Sequence, residues 1–304
     1  MNEGKIKAKP GVHYNYSNDE YHNRLLAPDG SKLINASYMK VADKHSLMKA
    51  EFGESTISAI AARIGTALHA EALEPEKELV LLSKENTRTT KAFKKADAEA
   101  SEQGKILLTQ SEYDQVQGMV HGFLHKRKKI GGLLNDGHCK KLLTDKDRIC
   151  EASLIAQDVA SGIWMKARPD IYSAKLQVMG DIKTTIGADP RTFKKQCFAL
   201  GYDLQCAWYL KVAEACGWKV KELPGVGTQV FGFMAVEKTK PYVAHFHVLD
   251  NAAIRRARAR IDALLMDIAE ARRDGENGTN WEPFNVIELP EYLQEGDKNE
   301  TPNN

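Results

Sequence analysis

The sequence has few cysteines, and none of them is paired at metal-binding spacing. The five cysteines stand far apart, with no C-x-x-C pair, at Cys139, Cys150, Cys197, Cys206 and Cys216. Zinc ribbons and iron–sulfur clusters are built on closer cysteine pairs, so we expect neither. An odd number of cysteines in a long chain without a secretion signal also favours free thiols over a disulfide framework.

Long apolar runs and an ATP-binding loop are also absent from the sequence. No window approaches the roughly 18 consecutive apolar residues that a membrane-spanning helix needs, and residues 1–6 show no apolar signal-peptide core. We therefore expect a cytoplasmic protein without a membrane partner. The pattern G-x-x-x-x-G-K-[ST] does not occur, so the sequence predicts no P-loop motor and no use of ATP.

The chain has the composition of a folded protein, with its charges unevenly distributed. Of its 304 residues, 42% are hydrophobic and 28% are charged, which is typical of a globular protein. Residues 282–304 contain six acidic residues and one lysine, so the rest of the chain carries 42 basic and 35 acidic residues. A basic body with an acidic tail is compatible with a polyanionic partner, although many ordinary enzymes share this balance.

The order of the predicted elements indicates one mixed α/β domain. We interpret residues 1–30 as an N-terminal arm, 31–281 as a single domain with a charged excursion near 83–105, and 282–304 as a flexible acidic tail. Apolar periodicity predicts helices over 57–73, 111–129, 190–199, 202–216 and 251–273. It predicts strands over 150–156, 164–172, 176–183, 229–237 and 242–248, and the first three of these strands form a β-meander.

The strand over residues 176–183 carries the most informative polar residues. Because side chains alternate along a strand, Asp181 and Lys183 share one face, while Ile182 points into the core. If Asp170 lies opposite, two carboxylates converge beside a lysine, and such close like charges are stable mainly with a cation between them. Oxygen ligands imply Mg²⁺ or Mn²⁺, which would support phosphodiester hydrolysis. An isolated D-x-K triplet is more often a surface strand face with a weak ion pair.

Four motifs stand in a fixed order around this strand, namely G-x-x-x-H ending at His69, R-P-D ending at Asp170, D-I-K-T-T beginning at Asp181, and Q-x-x-x-Y beginning at Gln205. Their order resembles that of the RecB-like branch of the PD-(D/E)XK nuclease superfamily. With Tyr21-His22 and the stretches 37–40 and 73–75, the pattern over residues 15–250 resembles the RecE-type exonucleases. The resemblance implies an α/β fold with a restriction-endonuclease-like core, in which helices flank a mixed central sheet.

The resemblance also implies roles for the matched residues. Asp170 and Asp181 would be metal ligands, His69 a ligand or the neighbour of one, and Lys183 the catalytic lysine. The alternative for His69 is a satisfied histidine at the edge of a helix core, which is more common in general.

Further candidate residues follow from their position beside these motifs. Gln205 and Tyr209 lie four residues apart on one helix face, where they could bracket the lysine or a DNA phosphate, although Tyr209 could equally belong to the core. Glu151 is either an outer-shell carboxylate or a plain strand-end acid. Three arginines are candidate DNA phosphate contacts because they neighbour the motifs, namely Arg63, Arg168 and Arg191.

The function that the resemblance implies is ATP-independent, Mg²⁺-dependent digestion of double-stranded DNA from its ends, with Mn²⁺ able to substitute. The polarity would be 5′-to-3′, leaving 3′ single strands for recombination by an annealing protein of the RecT type. A homo-oligomeric ring around the duplex is implied as well. Two alternatives remain open, a structure-specific or restriction-like endonuclease and a degenerate DNA-binding protein. The intact Asp170, Asp181 and Lys183 argue against degeneracy.

Overall fold

The structure is a computed structural model that describes residues 4–53, 59–124, 138–223 and 227–275. Its strands are β1 Ile6–Lys7, β2 Gly11–His13, β3 Leu25–Leu26, β4 Val80–Leu82, β5 Ile106–Leu108, β6 Arg148–Cys150, β7 Ser153–Gln157, β8 Trp164–Ala167, β9 Ile171–Ser173, β10 Val178–Thr185, β11 Phe231–Glu237 and β12 Ala244–Val248. Its α-helices are α1 Ala36–Lys44, α2 Leu47–Phe52, α3 Ala59–Leu73, α4 Lys91–Glu102, α5 Gln110–Leu124, α6 His138–Leu143, α7 Pro190–Ala199, α8 Tyr202–Ala215 and α9 Asn251–Asp274. A π-helical turn spans Glu20–Arg24, and a 3₁₀ turn spans Pro75–Lys77.

A five-stranded mixed sheet forms the centre of the fold. Its strand order is β12-β11-β10-β9-β6, in which β10 and β11 are parallel and the other pairs are antiparallel. A parallel pair needs a long crossover, and α7 and α8 supply it between β10 and β11. In the register of that pair, Asp181 stands opposite Phe233 and Lys183 opposite Ala235. The two polar residues therefore lie in the interior of the sheet, beside apolar neighbours.

Helices cover both faces of this sheet. Side chains alternate along its strands, so each face carries its own set of apolar residues that pack against helices. On one face Phe231 and Phe233 pack with Trp208 of α8 and with apolar residues of α1 and α9. On the other face Ile182 and Met234 pack with apolar residues of α3, α5 and α6. The predicted fold class, a mixed sheet flanked by helices, is confirmed. The helices predicted over 190–199, 202–216 and 251–273 are also found, each within one residue of its predicted ends.

The predicted β-meander is wrong in one respect, because two of its strands are interrupted. The strand predicted over 150–156 divides into β6 and β7, and the strand over 164–172 divides into β8 and β9. β6 and β9 pair in the central sheet, whereas β7 and β8 join β2 in a separate three-stranded sheet. Glu151 has a φ of 52°, and Pro169 has no N–H to donate to a ladder. The hairpin therefore changes sheets where the Glu151 amide donates to the Asp170 carbonyl at 3.1 Å.

The N-terminal residues pack on the second sheet. Tyr21 and Leu25 are buried against Ile155 of β7, in a cluster with Ala8, Ala27 and Leu33.

Within the predicted excursion near 83–105, α4 buries Phe93 and Ala100 against Leu107 of β5. Nowhere in the described ranges does a helix combine the length and the apolar character that crossing a membrane requires. The predicted acidic tail, residues 282–304, lies outside the described residues.

Candidate active site

The motif residues meet in one cavity of about 590 Å³. The break in the hairpin supplies Glu151 and Asp170, the strand β10 supplies Asp181 and Lys183, and helix α3 supplies His69. Helix α8 supplies Gln205 and Tyr209. Eight of the ten residues predicted for the site line this cavity, namely His69, Glu151, Arg168, Asp170, Asp181, Lys183, Gln205 and Tyr209.

Three of these side chains form a compact group of potential metal ligands. His69 Nδ1 lies 3.7 Å from Glu151 Oε1 and 3.6 Å from Asp170 Oδ2. One ligand atom from each of the three residues lies within 4.8 Å of the other two. The structure thus places Glu151 among the potential ligand atoms themselves, and the side chain of His69 faces the carboxylates of the cavity. Asp181 stands beside this group.

The electrostatics of the group favour a bound positive charge. Burial lowers the pKa of His69, but the charges of Asp170 and Glu151 outweigh burial and raise the pKa from 6.5 to about 9. Burial and the nearby charge of Asp181 raise the pKa of Asp170 from 3.8 to about 8. The neighbouring carboxylates thus make ionisation of Asp170 more costly. A divalent cation relieves this repulsion directly.

The backbone and a buried amide hold the two aspartates in place. The amide N–H of Ile182 donates to Asp170 Oδ2 at 2.6 Å, which joins the hairpin break to β10. Gln205 Nε2 donates to Asp181 Oδ1 at 2.7 Å, which joins α8 to the same strand. The other Asp181 oxygen, Oδ2, forms an ion pair with the Lys183 ammonium. Burial lowers the pKa of Lys183, but Asp181 and Asp170 outweigh it and raise the pKa above its usual value, so the side chain is an ammonium.

The cavity contains a buried acceptor that suits an additional ligand. Gln205 Oε1 is buried and accepts no hydrogen bond within the described part of the chain. An unsatisfied buried amide oxygen is costly, and it lies beside the carboxylate that Gln205 holds. Carboxylate oxygens and an imidazole nitrogen are ligands for Mg²⁺ or Mn²⁺, and such ions also retain ordered water that an amide oxygen can accept from. His69, Glu151, Asp170 and Asp181 therefore fit a divalent metal centre.

Two residues near Lys183, neither of which lines the cavity, were not identified from the sequence. The Lys183 ammonium lies 4.8 Å from the centroid of the Tyr202 ring, and Lys40 of α1 lies 5.8 Å from the same centroid. Burial and the charge of Lys183 lower the pKa of Lys40 to about 8. Helical spacing could have pointed to Tyr202, because it lies three residues before Gln205 and seven before Tyr209 on α8. No local pattern connects Lys40 to β10.

The three candidate arginines occupy different surroundings. Arg168 lines the cavity and donates to Ser153 Oγ, to Asn18 Oδ1 and to the Tyr16 carbonyl. Arg63 instead pairs through both terminal nitrogens with Asp97 of α4, away from the cavity lining. Arg191 stands at the start of α7, outside this cavity and beside a second groove.

Comparisons with known proteins agree with the fold. A family model described as a PDDEXK-like domain of unknown function (DUF3799) matches residues 39–288. No curated protein matches the chain. A crystal structure of a "putative exonuclease" from Eubacterium rectale has a similar fold, with a TM-score of 0.52 over 94% of this chain and 99% of that chain. At 11% sequence identity this similarity shows the fold alone. Because the family model spans most of the chain, and because Asp170, Asp181 and Lys183 stand in one cavity, this protein belongs to the PDDEXK-like family DUF3799 and, with it, to the PD-(D/E)XK nuclease superfamily.

Proposed function

We propose that this protein is a metal-dependent deoxyribonuclease that degrades double-stranded DNA from its ends. The observation that carries the proposal is the meeting of His69, Glu151, Asp170, Asp181 and Lys183 in one cavity. Family membership supports nuclease chemistry, and the resemblance of the motifs to RecE-type exonucleases supports attack at ends. Mg²⁺ is the proposed metal, with Mn²⁺ able to substitute.

The groups of the cavity have different roles in the proposed phosphodiester hydrolysis. A divalent cation, when bound, lowers the pKa of water and stabilises negative charge on phosphate oxygens. The ammonium of Lys183 projects from the same strand face as Asp181, where it can orient the attacking water or contact a phosphate oxygen. Gln205 fixes Asp181, and the Ile182 amide fixes Asp170, so that both carboxylates are set before substrate arrives.

The proposal also includes the direction of degradation, a protein partner and an oligomeric state. These three parts rest on the resemblance to RecE-type exonucleases. We propose 5′-to-3′ degradation, which leaves a 3′ single strand as the substrate of an annealing protein in recombination. A ring of identical subunits would keep a chain without a motor on its DNA, because enclosure does not weaken with salt as phosphate contacts do. We expect the protein to act in the cytoplasm.

Linear duplex labelled at either the 5′ or the 3′ end, together with covalently closed circular duplex, tests this function. We expect linear DNA to be consumed in Mg²⁺, with early release of the 5′ label, while the closed circle persists. Light scattering should give the mass of a small multimer. Cutting of circles as fast as linear DNA would support the restriction-like endonuclease instead, and binding without cleavage in any divalent metal would support a degenerate DNA-binding protein.

A further inference from the structure

A second groove, which we call the β10–α7 groove, lies at the end of the strand that carries Lys183. Its volume is about 720 Å³, and it lies between the end of β10, the helix α7 and the residue that follows β11. Three cations line it, Arg191, Lys195 and Lys238, together with the hydroxyls of Thr184 and Thr192. No carboxylate is among the described residues that line it. The groove therefore matches a polyanion in charge.

The loop that forms one wall of this groove is held at both ends. The Thr185 hydroxyl lies 2.9 Å from the Gly187 carbonyl and 2.7 Å from Gln196 Oε1, and it donates to one of these two acceptors. The Ala188 amide donates to Glu237 Oε1 at 3.0 Å. The Lys238 amide donates to the Thr185 carbonyl at 3.2 Å. Contacts to β11 and α7 thus fix the shape of residues 185–188.

This fixed loop presents an apolar side chain to solvent. Ile186 is 84% exposed and lines the groove, although its two neighbours along the chain, Thr185 and Gly187, are buried. A single exposed apolar residue is ordinary on a protein surface. An exposed isoleucine on a fixed loop, between cations and beside an active site, is a suitable surface for the face of a nucleic-acid base.

The groove lies a short distance along the chain from Lys183. Thr184 directly follows Lys183, and Ile186 lies three residues beyond Lys183. At roughly 3.3 Å per residue of extended chain, this separation is about 10 Å. Stacked nucleotides advance by roughly 3.4 Å per base, so the distance corresponds to about three nucleotides of one strand. A strand whose scissile phosphate lies at Lys183 would need to extend by about three nucleotides to reach Ile186.

We propose that the β10–α7 groove binds the DNA strand adjacent to the scissile phosphate, with phosphates on Arg191, Lys195 and Lys238 and a base against Ile186. This inference rests on the proposed nuclease function and adds to it the surface that holds the substrate. Because phosphates and a base face are present in every sequence, the groove would bind DNA without sequence preference.

The chain offers matched controls for both kinds of contact. Lys194 precedes Lys195 on α7 and is also exposed, but it is not among the residues that line the groove. Val159 is 99% exposed in the turn between β7 and β8, away from the groove. We would measure binding of a fluorescein-labelled single strand by polarisation in Ca²⁺ across a series of salt concentrations, comparing Lys195→Ala with Lys194→Ala and Ile186→Ser with Val159→Ser.

We expect Lys195→Ala to weaken binding several-fold and to reduce the salt slope by about 0.7, the value for one phosphate contact with a single strand. Ile186→Ser should weaken binding without changing the slope, because its contact carries no charge. Both controls should bind as the wild type does. Equal effects of Lys195→Ala and Lys194→Ala, or of Ile186→Ser and Val159→Ser, would overturn the proposal. Competition by polyglutamate as strong as by DNA would overturn it too, by assigning the groove to an acidic peptide.

Failure of this inference can be told apart from failure of the proposed function, because binding is read without cleavage. If the wild type cleaves DNA in Mg²⁺ while both groove variants bind and cleave equally well, the groove proposal is wrong and the nuclease stands. If the wild type binds through the groove but cleaves in neither Mg²⁺ nor Mn²⁺, the nuclease proposal is wrong and strand binding stands. A wild type that does not bind DNA would overturn the groove proposal.

Discussion

The Lys183 ammonium and the Asp181 carboxylate form an ion pair on one face of β10, inside the central sheet. The side chain of Asp181 is 2% exposed and that of Lys183 is 17% exposed. A buried charge without its partner destabilises the folded protein, so each of the two residues offsets the free-energy cost of burying the other. The pair is therefore a structural element as well as a candidate catalytic one.

The free energy of unfolding should reveal this dependence in a double-mutant cycle. Asp181→Asn alone leaves a buried ammonium without its carboxylate, and we expect a loss of about 3–5 kcal/mol. The double variant Asp181→Asn/Lys183→Met should lose less than the two single variants together, with a coupling of about 1–3 kcal/mol. Urea unfolding of the four metal-free proteins measures it. Additive losses would show that the two charges do not support each other.

Gln205 should act on the rate of hydrolysis through Asp181. Gln205→Met keeps the size of the side chain but removes the donor to Asp181 Oδ1 and the buried oxygen Oε1. We expect kcat to fall about 10- to 100-fold, because the aspartate loses its fixed orientation, while the Kd for DNA in Ca²⁺ changes little. Gln117→Met is a suitable control, since Gln117 binds Glu71 on α3. An unchanged kcat in Gln205→Met would remove this positioning role.

Divalent metal should stabilise the folded protein through the acidic group of the cavity. Saturation to about 100 times the Kd adds about 2.7 kcal/mol of stability, so Mn²⁺ should raise the Tm by several degrees. Asp170→Asn should remove most of this shift, because it removes the carboxylate nearest to His69. Asp267→Asn, an exposed aspartate on α9, is the matched control. Equal Tm shifts in the two variants would place the metal elsewhere.

Lys166 predicts a pH dependence that is independent of the metal site. Burial, together with the charge of Arg168, lowers the pKa of Lys166 from 10.5 to about 8, and its ammonium contacts the Tyr21 carbonyl and ring. The unfolded chain binds this proton more tightly than the folded chain, so stability should rise as the pH rises from 8 to 10.5. The gain should reach about 3 kcal/mol, at 1.36 kcal/mol per pKa unit.

Urea unfolding of wild type and Lys166→Met between pH 7.5 and pH 10.5 measures this gain, because other titrating groups contribute equally to both proteins. The wild type should gain stability relative to the variant as the pH increases. A difference between the two proteins that stays constant across this range would contradict the buried position of the ammonium.

The fold class was predicted from the sequence, and eight of the ten candidate site residues line one cavity. Alternation along one strand placed Asp181 and Lys183 on a common face, and four-residue spacing placed Gln205 and Tyr209 on one side of α8. The interruption of the hairpin at Glu151 and Asp170 was not predicted, because a strand that changes sheets keeps the apolar pattern of a continuous strand. Pro169 was the local signal for it.

Long-range contacts could not be predicted from such patterns. Arg63 lies near the G-x-x-x-H motif in the sequence, but its partner Asp97 is 34 residues away on α4. Lys40 approaches Tyr202 only because α1 packs against α8 in the folded chain. Position in the sequence therefore predicts poorly which residues a long, flexible lysine or arginine side chain contacts, because tertiary packing determines its partners.

Cleavage of end-labelled linear duplex by wild type and by Lys183→Met, in Mg²⁺ with and without chelator, tests the central claim most directly. The exposed Lys95→Met on α4 serves as the control. We predict that the wild type and the control degrade the duplex in Mg²⁺ and stop on chelation, and that Ca²⁺ supports binding without hydrolysis. Lys183→Met should bind DNA in Ca²⁺ but lose at least about 100-fold in rate, which corresponds to roughly 2.7 kcal/mol of transition-state stabilisation. Cleavage that survives chelation, or a Lys183→Met variant that cleaves as fast as the control, would contradict the account.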